Sequence, residues 1–490
     1  MPPKKRMTNS EEVHLRSREK SSGSSGFGAS SNGESSSKLN TKDKMKRVPG
    51  GGRPRNRKVV IGGLLVLALL AWMFLFNGSS TPMHSVGWLD ENVYLRFGLN
   101  KEVYAVVLDA GSTGTRVLAF AFHQSVHDNN LKLKDELFHE VKPGLSSYSD
   151  DPQAGADSVK QLLSRAKIFI PQEHWAKTPV SLKATAGLRL LPKAKADAIL
   201  EAVSNVIKSI GFHATEDSVG IMDGVDEGIF SWFTVNFLLD RIGGPVSKTV
   251  AALDLGGGST QITVASSPGT IEFLPSEDIQ NISLFHQQVP LYTHSYLGLG
   301  LQAVRKAVLS ANQTNPESTV LESVCVNPVV SREWTYGGVT YTMKGVQTGK
   351  FEKVQYNGFA RKEAVADWDE CYKVIVKIIE EKGVIKPKDL NRQIVVISYF
   401  FERAAEAGLV DPLEGGKLTL QHYLDAGKLA CRTVNADLPL ACLDLTFMGA
   451  ILHNGYGLAK STPLLVLKKL HGHELSWALG AAYHILQNGG

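Results

Sequence analysis

The feature that most constrains this chain is an internal repeat of a glycine-rich turn set between two apolar runs. The first copy spans residues 103–122 and contains Asp-Ala-Gly-Ser-Thr-Gly-Thr; the second spans 250–265 and contains Asp-Leu-Gly-Gly-Gly-Ser-Thr-Gln. Their leading residues, Asp109 and Asp254, stand 145 positions apart. Short β-branched runs on both sides of a turn predict a β-hairpin. Two related hairpins predict an α/β chain with two similar lobes that face a cleft.

The residues of both turns suit a bound phosphate. Glycine lets backbone N–H groups approach an anion, and hydroxyl side chains add further donors. An Asp at the mouth of each turn would repel phosphate unless it serves a cation, so Asp109 and Asp254 are predicted to hold hydrated Mg²⁺ or Ca²⁺. A single turn of this composition is more often an ordinary β-turn, and the matched pair is what favours a site. The candidate phosphate-binding residues are Ser112, Thr113, Gly114, Thr115, Gly256, Gly257 and Gly258.

No Ser-His or Cys-His pattern indicates a protein nucleophile, so water activated by a base is the simpler hypothesis. Glu227 is the candidate base, because it begins an apolar, aromatic-rich segment (227–240) that is predicted to be helical. The alternative reading of Glu227 is an acid favoured at a helix start by the helix dipole. A second apolar segment, 474–487, predicts a closing helix.

The N-terminal part of the chain has the pattern of a membrane anchor. Residues 1–58 carry 15 Lys and Arg against five Asp and Glu and are rich in Ser and Gly, which predicts a disordered basic tail. Residues 59–76 are uncharged and mostly apolar, long enough for one transmembrane helix, with a buried core helix as the alternative. The basic flank precedes this run, which predicts a type II orientation with a stem at 77–100 on the far side. The rest of the chain is slightly acidic, so no nucleic-acid partner is expected.

Cysteines and sequons fit an oxidising, luminal location. All four cysteines lie beyond the apolar run, and an even number predicts two disulfides with three possible pairings. Asn281 and Asn312 begin N-glycosylation sequons on the same side.

Five segments together resemble a known family. They are VVLDAGSTGTRVLAF, KATAGLRLLP, GVDEGIFSWFTVNFLLD, AALDLGGGSTQITV and SWALGAA, in that order along the chain. In this order they are similar to the conserved regions of the ectonucleoside triphosphate diphosphohydrolase (apyrase) family, and the similarity spans about residues 100–490. The DAGSTGT form, the single span and the four cysteines are most similar to the branch that prefers diphosphates, and the anchor indicates a membrane-bound member of it.

The resemblance implies an actin-like (ribonuclease-H-like) fold with the nucleotide in the cleft. Lobe I would comprise residues 101–222, completed by 472–490, and lobe II residues 223–471. The implied reaction is cation-dependent hydrolysis of nucleoside 5′-diphosphates such as GDP, UDP and IDP, in the Golgi lumen or after secretion. The resemblance also implies the disulfides Cys325–Cys371 and Cys431–Cys442.

Individual roles follow from the same resemblance. Asp109 and Asp254 would bind the cation through waters, and Glu227 would be the general base. Gly114 departs from the larger family members, which often have His there, and this weakens the case for triphosphate hydrolysis. Tyr399 and Phe400 are candidates for stacking on the base, with core packing as their alternative. The residues implied to position the attacking water are Thr185, Ser259 and Gln261.

Three other functions fit parts of the pattern. An actin-like sugar kinase or exopolyphosphatase shares twin phosphate hairpins, but a cytosolic kinase needs neither an anchor nor sequons. A broad apyrase would also cut triphosphates. A non-catalytic nucleotide-binding protein would be expected to lack the base or an Asp, and neither is missing. The sequence predicts no particular oligomeric state.

Overall fold

The computed structural model describes residues 100–266, 275–284, 287–356, 359–387, 390, 392–435 and 437–488. These residues form two α/β lobes, each around its own sheet. Within this described part, no helix is both long enough and apolar enough to cross a membrane. The predicted tail, the predicted span at 59–76 and residues 77–99 of the stem lie outside it.

Lobe I is built around a five-stranded sheet in the order β3-β2-β1-β4-β5. β1 pairs antiparallel with β2 and parallel with β4, so the first predicted hairpin is present. Its turn lies between Ala110 and Thr115. The elements are β1 (Asn100–Ala110), β2 (Thr115–Ser125), β3 (Leu131–Val141), α1 (Pro152–Phe169), β4 (Val180–Ala184), α2 (Ala186–Arg189), α3 (Lys193–Ser209) and β5 (Val219–Ile221).

Lobe II is built around a seven-stranded sheet in the order β16-β17-β15-β6-β7-β9-β8. The second predicted hairpin is the antiparallel pair β6 and β7, which turns at residues 256–258. The elements are α4 (Gly224–Leu238), β6 (Ala251–Leu255), β7 (Ser259–Ala265), β8 (Ile279–Leu284), β9 (Gln287–Leu297), α5 (Leu301–Leu309), β10 (Val320–Ser323), β11 (Ser331–Tyr336), β12 (Val339–Gly345), β13 (Phe351–Tyr356), β14 (Phe359–Ala364), α6 (Trp368–Glu381), β15 (Ile394–Ser398), α7 (Tyr399–Glu406), β16 (Gly416–Thr419), α8 (Leu420–Arg432), α9 (Ala441–Ala450) and β17 (Pro463–Val466).

Helix α4 lies in the core between the two sheets. The Asp223 side chain caps it by accepting a hydrogen bond from the Val225 N–H at 2.7 Å. Most of its residues are buried, as expected for a helix that is apolar on nearly all sides. The helix begins three residues before the predicted start because this cap fixes its first turn. The position of the cap places Glu227 on the first turn of α4, at the point where the lobes meet.

The C-terminal helix returns to lobe I. α10 (Trp477–Asn488) packs against α4 and β1 and joins their apolar cluster. The predicted start at residue 474 is wrong, because His473–Glu474 pairs instead with Lys469–Leu470 in a short hairpin (β19 and β18). The lobe limits at 101–222 with 472–490, and at 223–471, stay a prediction.

Two disulfides lie within lobe II. Cys325–Cys371 joins the segment after β10 to α6, and Cys431–Cys442 joins the end of α8 to the start of α9. Both predicted pairings are confirmed. All four cysteines are buried in the lobe II core, so the bridges hold helices in place.

Candidate active site

The two glycine-rich turns face each other across one cleft. A Cβ atom built on Gly257 would lie 2.0 Å from Oγ of Ser112, so only glycine lets the second turn come this close to the first. The cleft is lined by residues of both lobes. Of the residues predicted for a site, it brings together Asp109, Ser112, Thr113, Thr185, Glu227, Asp254, Gly256, Gly257, Gly258, Ser259 and Tyr399.

Two residues predicted to bind phosphate lie apart from the cleft surface. Thr115 is fully buried as the first residue of β2, so its hydroxyl belongs to the interior of the sheet. Gly114 packs beneath the carboxylate of Glu140, which lines the cleft in its place. The phosphate-binding prediction for the first turn is therefore limited to its backbone, Ser112 and Thr113, which line the cleft.

The two carboxylates at the mouths of the turns are almost completely buried. Asp109 accepts a hydrogen bond from Nη1 of Arg116 at 3.1 Å through Oδ2, and its Oδ1 has no hydrogen-bond partner. Asp254 accepts from Oγ of Ser231 at 2.9 Å. Burial raises the pKa of both carboxyl groups, since few groups around them offset the lost hydration.

These carboxylates fit a hydrated cation. Carboxylate oxygens are preferred ligands of Mg²⁺ and Ca²⁺, and Mg²⁺ usually keeps several waters. The described residues contain no group of three or more His, Cys, Asp or Glu placed to hold a metal directly. The chemistry of Asp109 and Asp254 fits a hydrated cation, and Oδ1 of Asp109 is a buried oxygen without a hydrogen-bond partner.

Glu227 is buried on the first turn of α4 and forms an ion pair with the side chain of Arg189. Its Oε2 accepts a hydrogen bond from Nη2 of Arg189. Burial raises the pKa of Glu227 to about 8; the Arg189 guanidinium opposes the shift, and the charges of Asp254 and Asp109 add to it. A carboxylate with a pKa close to neutrality is well suited to accept a proton from water.

Arg189 is a site residue that the sequence reasoning missed. It stands at the end of α2, 38 residues before Glu227, so no local pattern connects the two. The sequence feature that could have indicated Arg189 is the KATAGLR segment, which ends at Arg189 and whose Thr185 lines the same cleft.

Two of the three residues predicted to position water line the cleft, and the third contacts one of them from behind. Thr185 and Ser259 line the cleft, whereas Gln261 stands behind Ser259. Nε2 of Gln261 donates to Oγ of Ser259 at 2.8 Å and to Oγ of Ser295 at 3.0 Å. Gln261 thus orients Ser259 and does not itself form the cleft surface.

Tyr399 and Phe400 have different environments. The Tyr399 hydroxyl donates to Oγ1 of Thr113 at 3.3 Å and so connects α7 of lobe II to the first turn. Phe400 is fully buried against Tyr423 in the lobe II core, so its predicted stacking role is wrong. Consecutive helix residues point in directions about 100° apart, which turns Phe400 inward while Phe401 reaches the cleft.

Ser398 is a second missed residue. It has φ 59° and ψ −128°, a conformation that non-glycine residues seldom adopt. Its side chain hydrogen-bonds Asp254, and this bond opposes the rise in the pKa of that carboxyl. A strained residue next to a buried carboxylate is typical of functional sites.

Comparison with known proteins agrees with this geometry. Residues 98–488 match the GDA1/CD39 (nucleoside phosphatase) family. The chain belongs to this family. It is 39% identical over 392 residues to human "Nucleoside diphosphate phosphatase ENTPD5", covering 79% of this chain and 88% of that protein. It is 37% identical over 391 residues to mouse "Ectonucleoside triphosphate diphosphohydrolase 6", covering 79% and 82%.

A solved structure shows the same fold at low sequence identity. The chain matches a crystal structure of nucleoside triphosphate hydrolases from Neospora caninum with a TM-score of 0.55 and 13% identity, covering 88% of this chain and 97% of that one. The actin-like α/β fold is confirmed. As a member of the GDA1/CD39 family in the branch of these two relatives, the chain is a nucleoside phosphatase.

The pairing of Glu227 with Arg189 predicts a shift in the pH profile of this phosphatase. If Glu227 is the general base, it must be ionised to act, so the rate should rise with pH until Glu227 loses its proton. Arg189→Met removes the charge that lowers the pKa of Glu227, so the acid limb should move up by about 1–3 pH units. Steady-state rates across pH measure the shift. Arg165→Met, at an exposed arginine of α1, is the matched control, and an unmoved limb in Arg189→Met would argue against the pairing.

Proposed function

We propose that this nucleoside phosphatase hydrolyses nucleoside 5′-diphosphates, such as GDP, UDP and IDP, to the monophosphate and phosphate with the aid of Mg²⁺ or Ca²⁺. One observation carries the proposal. A buried carboxylate with a raised pKa, Glu227, lies in the same cleft as two phosphate-type turns and the unpartnered oxygen of Asp109.

The side chains of the cleft divide the reaction between them. The amides of both turns, with Ser112 and Thr113, would hold the phosphate chain. Thr185 and Ser259 would orient a water molecule, and Glu227 would accept its proton. The water oxygen then forms a bond to the terminal phosphorus, and the bond from that phosphorus to the bridging oxygen breaks.

The leaving group departs as the nucleoside monophosphate with the electron pair of the broken bond. A divalent cation at Asp109 and Asp254, when bound, would supply positive charge against the phosphate oxygens. The proton held by Glu227 passes to solvent or to the phosphate product, which restores the base. Arg189 would keep the carboxylate in place throughout this cycle.

The diphosphate preference has two supports. The human relative is named for diphosphate hydrolysis. The first turn has Gly114, at a position where the larger family members often have His. The carboxylate of Glu140 fills the space beside Gly114.

The proposed location is the Golgi lumen or the exterior, with a type II anchor. Asn281 and Asn312 are both exposed, as glycan acceptors must be. Two disulfides fit an oxidising compartment. Endoglycosidase treatment should raise gel mobility, and the catalytic part should resist protease in sealed vesicles. Protease sensitivity in sealed vesicles without any glycan would contradict this location.

A substrate panel tests the activity. Phosphate release should be much faster from GDP, UDP or IDP than from GTP, ATP or GMP, and a chelator should abolish it. Equal rates for GDP and GTP would favour a broad apyrase, and release that persists in excess chelator would contradict the cation.

A further inference from the structure

The lobe I side of the cleft carries a carboxylate that the proposed reaction does not use. Glu140 stands near the end of β3, lines the cleft, and has 25% of its side chain exposed. The register of the sheet places it opposite Arg116 of β2. Nη2 of Arg116 forms an ion pair with Oε1 of Glu140 at 2.8 Å, and Nη1 donates a hydrogen bond to Oδ2 of Asp109 at 3.1 Å. One guanidinium is thus shared by two carboxylates.

Glu140 is fixed against the first turn. A Cβ atom on Gly114 would lie 2.5 Å from Oε1 and 3.1 Å from Cδ of Glu140, so the carboxylate fills the space that a side chain at 114 would need. The chain beyond β3 also packs on this turn, since a Cβ on Gly144 would lie 2.4 Å from the carbonyl oxygen of Gly111. The carboxylate therefore stays beside the turn that is proposed to bind phosphate.

The other charged groups near Glu140 do not cancel this negative charge for a ligand. Nζ of Lys142 lies 3.5 Å from Oε2, but that side chain is 69% exposed and strongly screened by solvent. The Arg116 guanidinium already binds both carboxylates. A phosphate that binds to the donors of the turn consequently also meets a fixed anion whose charge Arg116 and Lys142 do not cancel.

Substrates of different length experience this anion differently. A terminal phosphate must reach the water at Glu227 in either substrate, and a triphosphate brings one more charged phosphate into the cleft. The repulsion from Glu140 is therefore greater for the triphosphate. Selectivity is the difference between the free energies with which the enzyme binds the two substrates, so this repulsion favours the diphosphate. We propose that Glu140 is a specificity-determining residue that disfavours nucleoside triphosphates at this cleft. The inference rests on the proposed diphosphatase function.

Glu140→Gln tests the role of the charge. Glutamine keeps the shape and an acceptor oxygen for Arg116 but removes the negative charge. The ratio of kcat/KM for GTP to that for GDP should rise on the order of tenfold, which matches the Coulomb energy of two unit charges roughly 12 Å apart at an effective dielectric constant of about 20. Glu140→Asp, which keeps the charge, should retain most of the discrimination of the parent enzyme.

A control on the same strand separates this effect from general surface charge. Asp135 lies on β3 and is exposed, and it is not among the residues that line the cleft. Asp135→Asn should leave the GTP to GDP ratio unchanged. Glu140→Ala, measured in parallel, carries the same expectation as Glu140→Gln and replaces it if the Gln variant folds poorly. Melting temperatures identify any such failure.

The outcomes distinguish the two levels of the proposal. An unchanged ratio in a well-folded Glu140→Gln or Glu140→Ala enzyme would overturn this inference alone, as would an equal rise in Asp135→Asn. A parent enzyme that releases no phosphate from GDP, or that cuts GTP equally well, would overturn the proposed function and this inference with it.

Discussion

Glu227→Gln is expected to lower kcat for GDP by a factor of about 10²–10⁴, the usual contribution of a general base. This corresponds to roughly 3–5.5 kcal/mol of transition-state stabilisation. Glutamine keeps the size of the side chain and an acceptor oxygen for Arg189, but it cannot take a proton from water. Nucleotide affinity should change little, because in the proposed mechanism the carboxylate acts on the attacking water and not on the phosphate chain. Single-turnover rates and binding of a non-hydrolysable diphosphate measure the two quantities separately.

A neighbouring acid on the same helical turn provides the matched control. Asp226 precedes Glu227 on the first turn of α4 and does not line the cleft. If Glu227 served only the helix dipole, Gln would cost at most about 1 kcal/mol of stability and leave turnover near normal. Asp226→Asn should behave in that way. Similar kinetics for both variants would remove Glu227 from the mechanism.

Asp109→Asn should also cause a large loss, but one that added cation partly reverses. Asparagine still accepts a hydrogen bond from Arg116, yet it removes half of the negative charge of the Asp109 and Asp254 pair. Apparent affinity for Mg²⁺ or Ca²⁺ should fall about 10–100-fold, as is usual when groups that orient a metal's ligands are changed. Titration of GDP hydrolysis with each cation measures this fall.

The same titration distinguishes the role of Asp109 in binding the cation from the role of Glu227 as the base. The rate of Asp109→Asn at saturating cation should recover a substantial part of the parent rate, whereas Glu227→Gln should show no recovery at any concentration. A rate for Asp109→Asn that stays flat across the titration would contradict a cation role for that residue.

The sequence predicted the repeated features of the fold well because they depend on local pattern. β-branched runs around glycine-rich turns form hairpins wherever they occur, and both hairpins are present. The meeting of Asp109, Asp254 and Glu227 in one cleft was predicted from order and resemblance. The structure adds the physical reason for it: α4 is apolar all round, so it lies between the sheets and carries Glu227 to both turns.

The features that were missed depend on three-dimensional register. Arg189 reaches Glu227 from a different element, and Glu140 reaches Gly114 because β3 lies beside β2 in the sheet. The misassignment of Phe400 has a similar cause. β15 ends and α7 begins between residues 398 and 399, so the helical turn decides which aromatic faces the cleft. Apolar pattern alone does not locate such a junction to one residue.

Oxygen-18 labelling tests most directly that Glu227 activates water for attack on the terminal phosphorus. When GDP is hydrolysed in labelled water, the inorganic phosphate should carry one new oxygen-18 atom per turnover and the GMP none. The residual turnover of Glu227→Gln should give the same labelling pattern at its reduced rate. Label in GMP would place the attack at the other phosphorus, and unimpaired turnover of Glu227→Gln would contradict the assignment of the base.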